Sequence, residues 1–261
     1  METDQLPAGT AAHVEALDRD GFVVLDNLLS TAELEAYRTI YDRFLSGEID
    51  AGSKRSDLGA GAEPSVTGTE NITQIMWPSL LCRELVDLPL HARGLELARE
   101  LIGADAELDF DMLIDKAPRT ATATPWHQDA GYWVNLPDGR AVSIWVSLDE
   151  ATLDSGCMWY VQGSHRGPVR PHRPAGKGGG AIECEGSEDE PGATPVPLQP
   201  GAAVAHVGRT LHYSRGNITD RHRRAYILNY RPAAMIARER ELGMDHGKTN
   251  NERVVRNTEA Q

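Results

Sequence analysis

The stretch TPWHQDAGYW, Thr124 to Trp133, sets a histidine and an aspartate two positions apart, behind a Thr-Pro pair and ahead of two aromatics. Alternate side chains of an extended strand share a face, so His127 and Asp129 would project together and Trp126 and Gln128 the other way. An imidazole nitrogen beside a carboxylate oxygen suits two ligands of one metal ion; it equally suits a polar strand edge. A second polar cluster, VGRTLHYSRGNITDRHRRAYILNY, puts His212 at the end of another expected strand, 85 residues after His127. If the chain folds back over that interval, two histidines and one carboxylate meet on one face. This is the facial triad that suits non-haem Fe(II) oxygenases, filling three of six octahedral positions and leaving the rest open.

Folding back needs particular elements. The first part of the chain reads as helical with one short strand. An apolar run at Gly21 to Leu25 precedes Ser30 and Glu33 in capping-box spacing, which open a helix TAELEAYRTIYDRFLSG that Gly47 can end. LHARGLELARELIG is another helix, closed by Gly103, and AGSKRSDLGAGAEPSVTGTEN between the two reads as a surface loop. From Ala106 the texture changes to short β-branched or aromatic runs divided by turn residues: ELDFDMLIDK, AVSIWVSLDE, GCMWYVQGSH, GAAVAHVG and RRAYILNYRP. Helices first and strands afterwards argue for a mostly β fold, a double-stranded β-helix (jelly roll) with N-terminal helices packed outside. Such closure makes distant strands neighbours, as the triad requires. The run from about Pro171 to Pro200 interrupts the strand series. It is Gly-rich and aperiodic, and is expected to be a mobile lid, with Glu183, Glu185, Glu188, Asp189 and Glu190 solvated or meeting a basic group on a substrate.

With 261 residues, 40% of them hydrophobic, the chain suits one domain over 1–261 with its β core at about 106–232. Lysine and arginine number 26 against 39 acidic residues, and the net charge of -13 opposes nucleic acid and anionic membranes as partners. No apolar run approaches the roughly 18 to 20 residues of a membrane span. The start is acidic where a signal peptide would be basic and then apolar, so a cytoplasmic protein is expected. Cys82, Cys157 and Cys184 are odd in number and lack CxxC spacing, which indicates neither a disulfide framework nor a zinc knuckle.

Three segments in order, MLIDKAP…PWHQD, SIWVSLDEATLDSGCMWYVQGSH and LHYSRGNITDRHRRAYILNYRP, resemble the phytanoyl-CoA dioxygenase family of Fe(II)- and 2-oxoglutarate-dependent oxygenases, from about Gly21 to Pro232. The resemblance implies His127, Asp129 and His212 as iron ligands and Arg223 as the partner of the distal carboxylate of 2-oxoglutarate, helped by the hydroxyl of Ser214. A guanidinium fork suits that role because it can hold a carboxylate with two parallel hydrogen bonds. The resemblance also places Met112 and Trp145 in the co-substrate pocket and Gln74 at a pocket position on the substrate side. Strand alternation sets Arg224 opposite Arg223 but leaves either face of the Trp145 strand free to be inward.

The implied cofactor is Fe(II), with 2-oxoglutarate and O2 as co-substrates. The implied reaction hydroxylates an unactivated C–H bond of a small or medium-sized metabolite while 2-oxoglutarate becomes succinate and CO2. Desaturation, epimerisation and ring closure stay open, since they differ in substrate placement. Halogenation is disfavoured because halogenases of this type replace the carboxylate ligand, and the acidic balance speaks against a CoA thioester. A non-oxidative cupin-like metal enzyme would not need Arg223 and Ser214, and a silent jelly-roll binding protein would not need the triad. His13, His91, His165, His172 and His222 read as structural or surface residues. The segment Gly163 to His165 reads as a structural turn. His246 reads as part of a frayed tail rather than a lid.

Overall fold

Valine, isoleucine and aromatic residues at alternate positions favour strands wherever one face of the sheet can be covered. The computed structural model describes residues 11–59, 70–176 and 180–249. Helix α1 (Ala11–Asp20) leads into β1 (Phe22–Leu25), α2 (Thr31–Leu45), β2 (Arg55–Asp57) and β3 (Ile72–Met76). Two single-turn helices, α3 (Pro78–Leu81) and α4 (Glu84–Asp87), precede α5 (Leu90–Ile102). The strands β4 (Ala106–Lys116), β5 (Thr124–His127), β6 (Val142–Ser147), β7 (Met158–Val161), β8 (Arg173–Pro174) and β9 (Ile182–Glu183) follow. Then come β10 (Ala193–Val196), β11 (Ala203–Val207), β12 (His212–Ser214), β13 (Arg223–Pro232) and helix α6 (Ala233–Glu241).

Seven strands make one antiparallel sheet in the order β1-β11-β6-β13-β4-β3-β2, and four make a second, β10-β7-β12-β5. The two sheets face each other across Trp145, Val204 and Ile227 from one side and Met158, Tyr160 and Val196 from the other. Period-two alternation sends Ile144, Val146, Tyr226 and Leu228 of the same strands outward, against α2 and α5. That settles the face of β6: Ser143 and Trp145 point between the sheets. The expected jelly roll with outer helices is therefore the fold observed.

The helix signals act as the sequence implies. Ser30 N–H donates to Glu33 Oε2 at 2.8 Å, and Glu33 N–H donates back to Ser30 Oγ at 3.4 Å. Glu33 also takes two hydrogen bonds of 2.8 Å from Arg93, which ties α2 to α5.

Three expectations need correction. The Gly/Ser-rich loop at 51–71 contains β2, an edge strand on β3, because an edge needs only one partner and tolerates polar residues. The Asp57 carboxylate fixes its exit by accepting the N–H groups of Gly59 and Ile72; residues 60–69 lie outside the described residues. The run 171–200 is also not aperiodic. Strands β8 and β9 form a two-stranded ribbon, β10 belongs to the second sheet, and the carboxylates of Glu183, Glu188 and Glu190 pair with Arg173, Arg215 and Arg170 instead of standing in water. Residues 177–179 of this run lie outside the described residues. The chain after α6 is not frayed as far as Thr249: Met244 and His246 are buried.

Cys82 and Cys157 are buried, Cys184 is half-buried, and all three are free thiols. Among the described residues no helix is long and apolar enough to cross a membrane.

Candidate active site

His127 and His212 meet because β5 and β12 pair with these two residues directly opposite. Asp129 arrives differently from the expected strand alternation. Strand β5 stops at His127, and a 3-10 turn over Asp129–Gly131 carries the carboxylate back. Its Oδ1 lies 3.7 Å from His127 Nε2 and 3.5 Å from His212 Nε2.

The backbone sets the tautomers. His127 Nδ1 is 2.7 Å from the Pro125 carbonyl and His212 Nδ1 is 2.8 Å from that of Thr210. A carbonyl only accepts, so each Nδ1 carries the proton and each Nε2 offers its lone pair toward Asp129 Oδ1. Burial lowers the pKa of both imidazoles, and for His212 the neighbouring His127 lowers it further. Both are thus neutral, the form that binds metal. Burial opposes ionisation of Asp129, but the hydrogen bond from His206 works against it, and the carboxyl is held well below the usual carboxylate range.

The second oxygen of Asp129 is engaged elsewhere. Oδ2 accepts from Ser143 Oγ at 2.8 Å and from His206 Nε2 at 3.1 Å. Asn229 donates to Ser143 Oγ at 2.8 Å, and Tyr160 Oη stands 3.2 Å from His206 Nδ1. These four supporting residues escape a reading of motifs. Their only signal is a polar side chain inside an apolar strand, as in AVAHV, and the pairing of His206 opposite Ser143 appears only once the register of β11 and β6 is known.

Arg223 is buried, makes no ion pair among the described residues, and its Nε has no hydrogen-bond partner. Its guanidinium lies 5.3 Å from the Trp145 ring centre. Burial pulls its pKa down to about 10, which leaves it charged at neutral pH. Arg224 points the other way, as alternation requires, to Asp149 at 2.8 Å and Asp42 at 2.5 Å. Ser214 Oγ is a second buried group without a hydrogen-bond partner among the described residues. Its carbonyl accepts from the fully buried Lys116 Nζ at 3.1 Å, across the strand from Arg223.

The triad, Arg223, Ser214, Trp145, Met112 and Gln74 all line one cavity of about 450 Å³. The Gln74 amide is loosely held, with Nε2 3.5 Å from Met112 Sδ. His91, His165, His172 and His222 are hydrogen-bonded outside the cavity, to Tyr226, Asp18, Gln128 and Asp115. A cavity with two imidazoles and a carboxylate converging on one point, and with a cation and a hydroxyl beside them that are unpaired among the described residues, has the donor set for a divalent metal and the counter-charge for a carboxylate ligand.

The sequence pattern of the phytanoyl-CoA dioxygenase family matches residues 17–225. Phytanoyl-CoA dioxygenase domain-containing protein 1 of Bos taurus is 35% identical over 128 residues, which are 47% of this chain and 44% of that protein. The chain thus matches less than half the length of that relative. Among solved structures, EvdO2 from Micromonospora carbonacea var. aurantiaca complexed with 2-oxoglutarate superposes with a TM-score of 0.67 at 32% identity, covering 86% of this chain and 91% of EvdO2. The epimerase SnoN in complex with Fe3+, alpha ketoglutarate and nogalamycin RO shares the fold, with a TM-score of 0.65 at 24% identity over 86% of this chain and 85% of SnoN. By its sequence pattern, its jelly roll and these likenesses, the chain belongs to the phytanoyl-CoA dioxygenase family, whose members use iron, 2-oxoglutarate and O2.

Proposed function

We propose that the chain is an Fe(II)- and 2-oxoglutarate-dependent dioxygenase that hydroxylates an unactivated C–H bond of a small or medium-sized metabolite. The observation that carries this reading is the meeting, in one cavity, of the two-nitrogen, one-oxygen donor set with a buried arginine that makes no ion pair among the described residues. His127, Asp129 and His212 would hold the metal, and Arg223 with Ser214 would hold the distal carboxylate of 2-oxoglutarate. The likeness to EvdO2, which binds 2-oxoglutarate, supports that co-substrate. Iron bound there supplies O2 activation coupled to decarboxylation of the 2-oxo acid.

The protein's own part is position and exclusion of water. Ser143 and His206 occupy Asp129 Oδ2, so the carboxylate can bind through Oδ1 alone. The Trp145 ring lies within cation–π distance of the Arg223 guanidinium. Met112, Ile114 and Ile227 form an apolar wall beside it, where charge-assisted hydrogen bonds gain strength. A non-oxidative metal enzyme would have no use for Arg223 and Ser214 beside the triad. The cavity volume lies in the range of small-molecule sites and leaves room for a modest substrate beside the co-substrate.

The β8–β9 ribbon supports a gating role at the mouth: Gly180 lines the cavity, and Tyr132 Oη accepts the Ile182 N–H at 3.1 Å. A metabolite screen read by succinate formation and product mass tests the function. Substrate-dependent succinate with a product heavier by one oxygen is expected. Product formed without O2 or 2-oxoglutarate would contradict it.

A further inference from the structure

The cavity has a second polar end to which the proposed function gives no role. Beyond α6 the segment 242–249 places Met244, His246 and Gly247 in the cavity wall. Trp77 Nε1 donates to the carbonyls of Asp245 and His246 at 3.2 and 3.0 Å, and Lys54 Nζ donates to those of Gly247 and Lys248 at 2.7 and 2.9 Å. Trp77 and His246 are both non-glycine residues at positive φ, 55° and 54°. Backbone held in that region needs surroundings that over-determine it, and such strain gathers where ligands are clamped.

The His246 ring is held from behind. Its Nε2 lies 3.1 Å from Glu239 Oε2 and 3.4 Å from Asp109 Oδ2, and its ring centre lies 4.3 Å from that of Phe110. Nε2 therefore carries a proton. Arg231 and Arg240 already match the two carboxylates, so the cluster needs no metal to balance its charge. Burial disfavours the imidazolium, but the two carboxylates outweigh it and raise the pKa. Nδ1 has no hydrogen-bond partner among the described residues, yet it is not among the buried unpartnered atoms, so it opens to the cavity that the residue lines.

The register separates this end from the co-substrate end. In the β13–β4 pair Arg223 stands opposite Lys116 and Asn229 opposite Phe110. Six residues of strand, about 20 Å, thus divide Arg223 from the phenylalanine on which His246 lies. The wall between them offers no counter-ion to a substrate cation, because Asp129 is the only carboxylate residue among the described cavity-lining residues and it sits in the triad.

We infer that His246 anchors the substrate through a hydrogen bond between Nδ1 and one of its oxygens, and that the substrate is therefore an anion or an oxygen-bearing neutral molecule rather than a cation. This rests on the proposed function for the position of the co-substrate. The test uses the full chain labelled with 15N-histidine, loaded with Zn(II) and 2-oxoglutarate, and three matched probes: phenylacetate, phenylacetamide and phenethylammonium. Calorimetry of 2-oxoglutarate binding judges the co-substrate site separately; its failure would count against the proposed function and leave the His246 readout standing.

Phenylacetate and phenylacetamide should shift the Nδ1 resonance of His246, while phenethylammonium should not. His246→Gln identifies that resonance and should lose about tenfold in phenylacetate affinity with 2-oxoglutarate affinity unchanged. Should His246→Gln fail to fold, His246→Asn identifies the resonance in its place. An Nδ1 resonance unmoved by both oxygen-bearing probes at millimolar concentration, or phenethylammonium binding as tightly as phenylacetate, would overturn the inference.

Discussion

Asp129 divides its work between two oxygens, one facing the histidines and one tied to Ser143 and His206. Asp129→Ala or His212→Ala removes one of three donors from the cavity wall. Each should abolish metal-dependent turnover while the circular dichroism of the metal-free protein stays that of the parent. Activity at the parental level under limiting iron would reject the triad. Arg223 and Arg224 give a sharper comparison because they are adjacent and face opposite ways. Arg223→Ala should cost about 2 to 5 kcal/mol of 2-oxoglutarate binding, the loss typical when a buried carboxylate loses its partner. Arg224→Ala opens pairs with Asp149 and Asp42 far from the cavity and should leave that affinity unchanged by calorimetry. Alternation in the sequence separates these two arginines but cannot say which is inward. The pairing of β13 with β4 and β6 decides it.

At the scale of elements, the layer between α5 and the large sheet holds a buried acid. Asp111 on β4 accepts from Tyr226 Oη at 2.6 Å and Ser79 Oγ at 3.0 Å, and burial pushes its pKa up to about 6. A folded-state pKa above the unfolded value means that the fold favours the protonated form. The contribution is complete below about pH 4 and is lost as pH rises through about 6. Asp111→Asn keeps the shape without the charge. Its stability relative to the parent should rise with pH across that window, by up to about 3 kcal/mol in urea unfolding. A difference that does not change with pH would contradict this.

Gly94 on α5 is a packing glycine: a Cβ there would lie 2.4 Å from Tyr230 Oη. Alanine is the better helix former by about 1 kcal/mol, yet Gly94→Ala should destabilise by about 1 to 2 kcal/mol through overpacking. Tyr230→Phe in the same chain should recover most of that loss, since the Tyr230 hydroxyl has no hydrogen-bond partner among the described residues. Capping residues and terminal glycines made α2 and α5 legible in the sequence. Strand β2 and helix α6 were not, because one depends on an edge partner and the other on carboxylates and arginines brought together from β4 and β13.

For the whole molecule, the order of helices and strands was enough to indicate a jelly roll, while the spacing of His127, Asp129 and His212 suited a metal site or a polar strand edge alike, and only the family resemblance marked them as ligands. What lay beyond sequence patterns was everything set by closure: the turn that returns Asp129, the His206 and Ser143 support, and the C-terminal segment that brings His246 to the cavity. Each depends on contacts between residues far apart in the chain, where local periodicity carries no signal. The most direct test of one shared site for metal and 2-oxo acid is an anaerobic titration of 2-oxoglutarate into the Fe(II)-loaded protein, followed by visible absorption. A weak charge-transfer band should grow to saturation in the parent and require far more 2-oxoglutarate in Arg223→Ala. A spectrum without the band, in protein shown to have bound Fe(II) and 2-oxoglutarate, would contradict it.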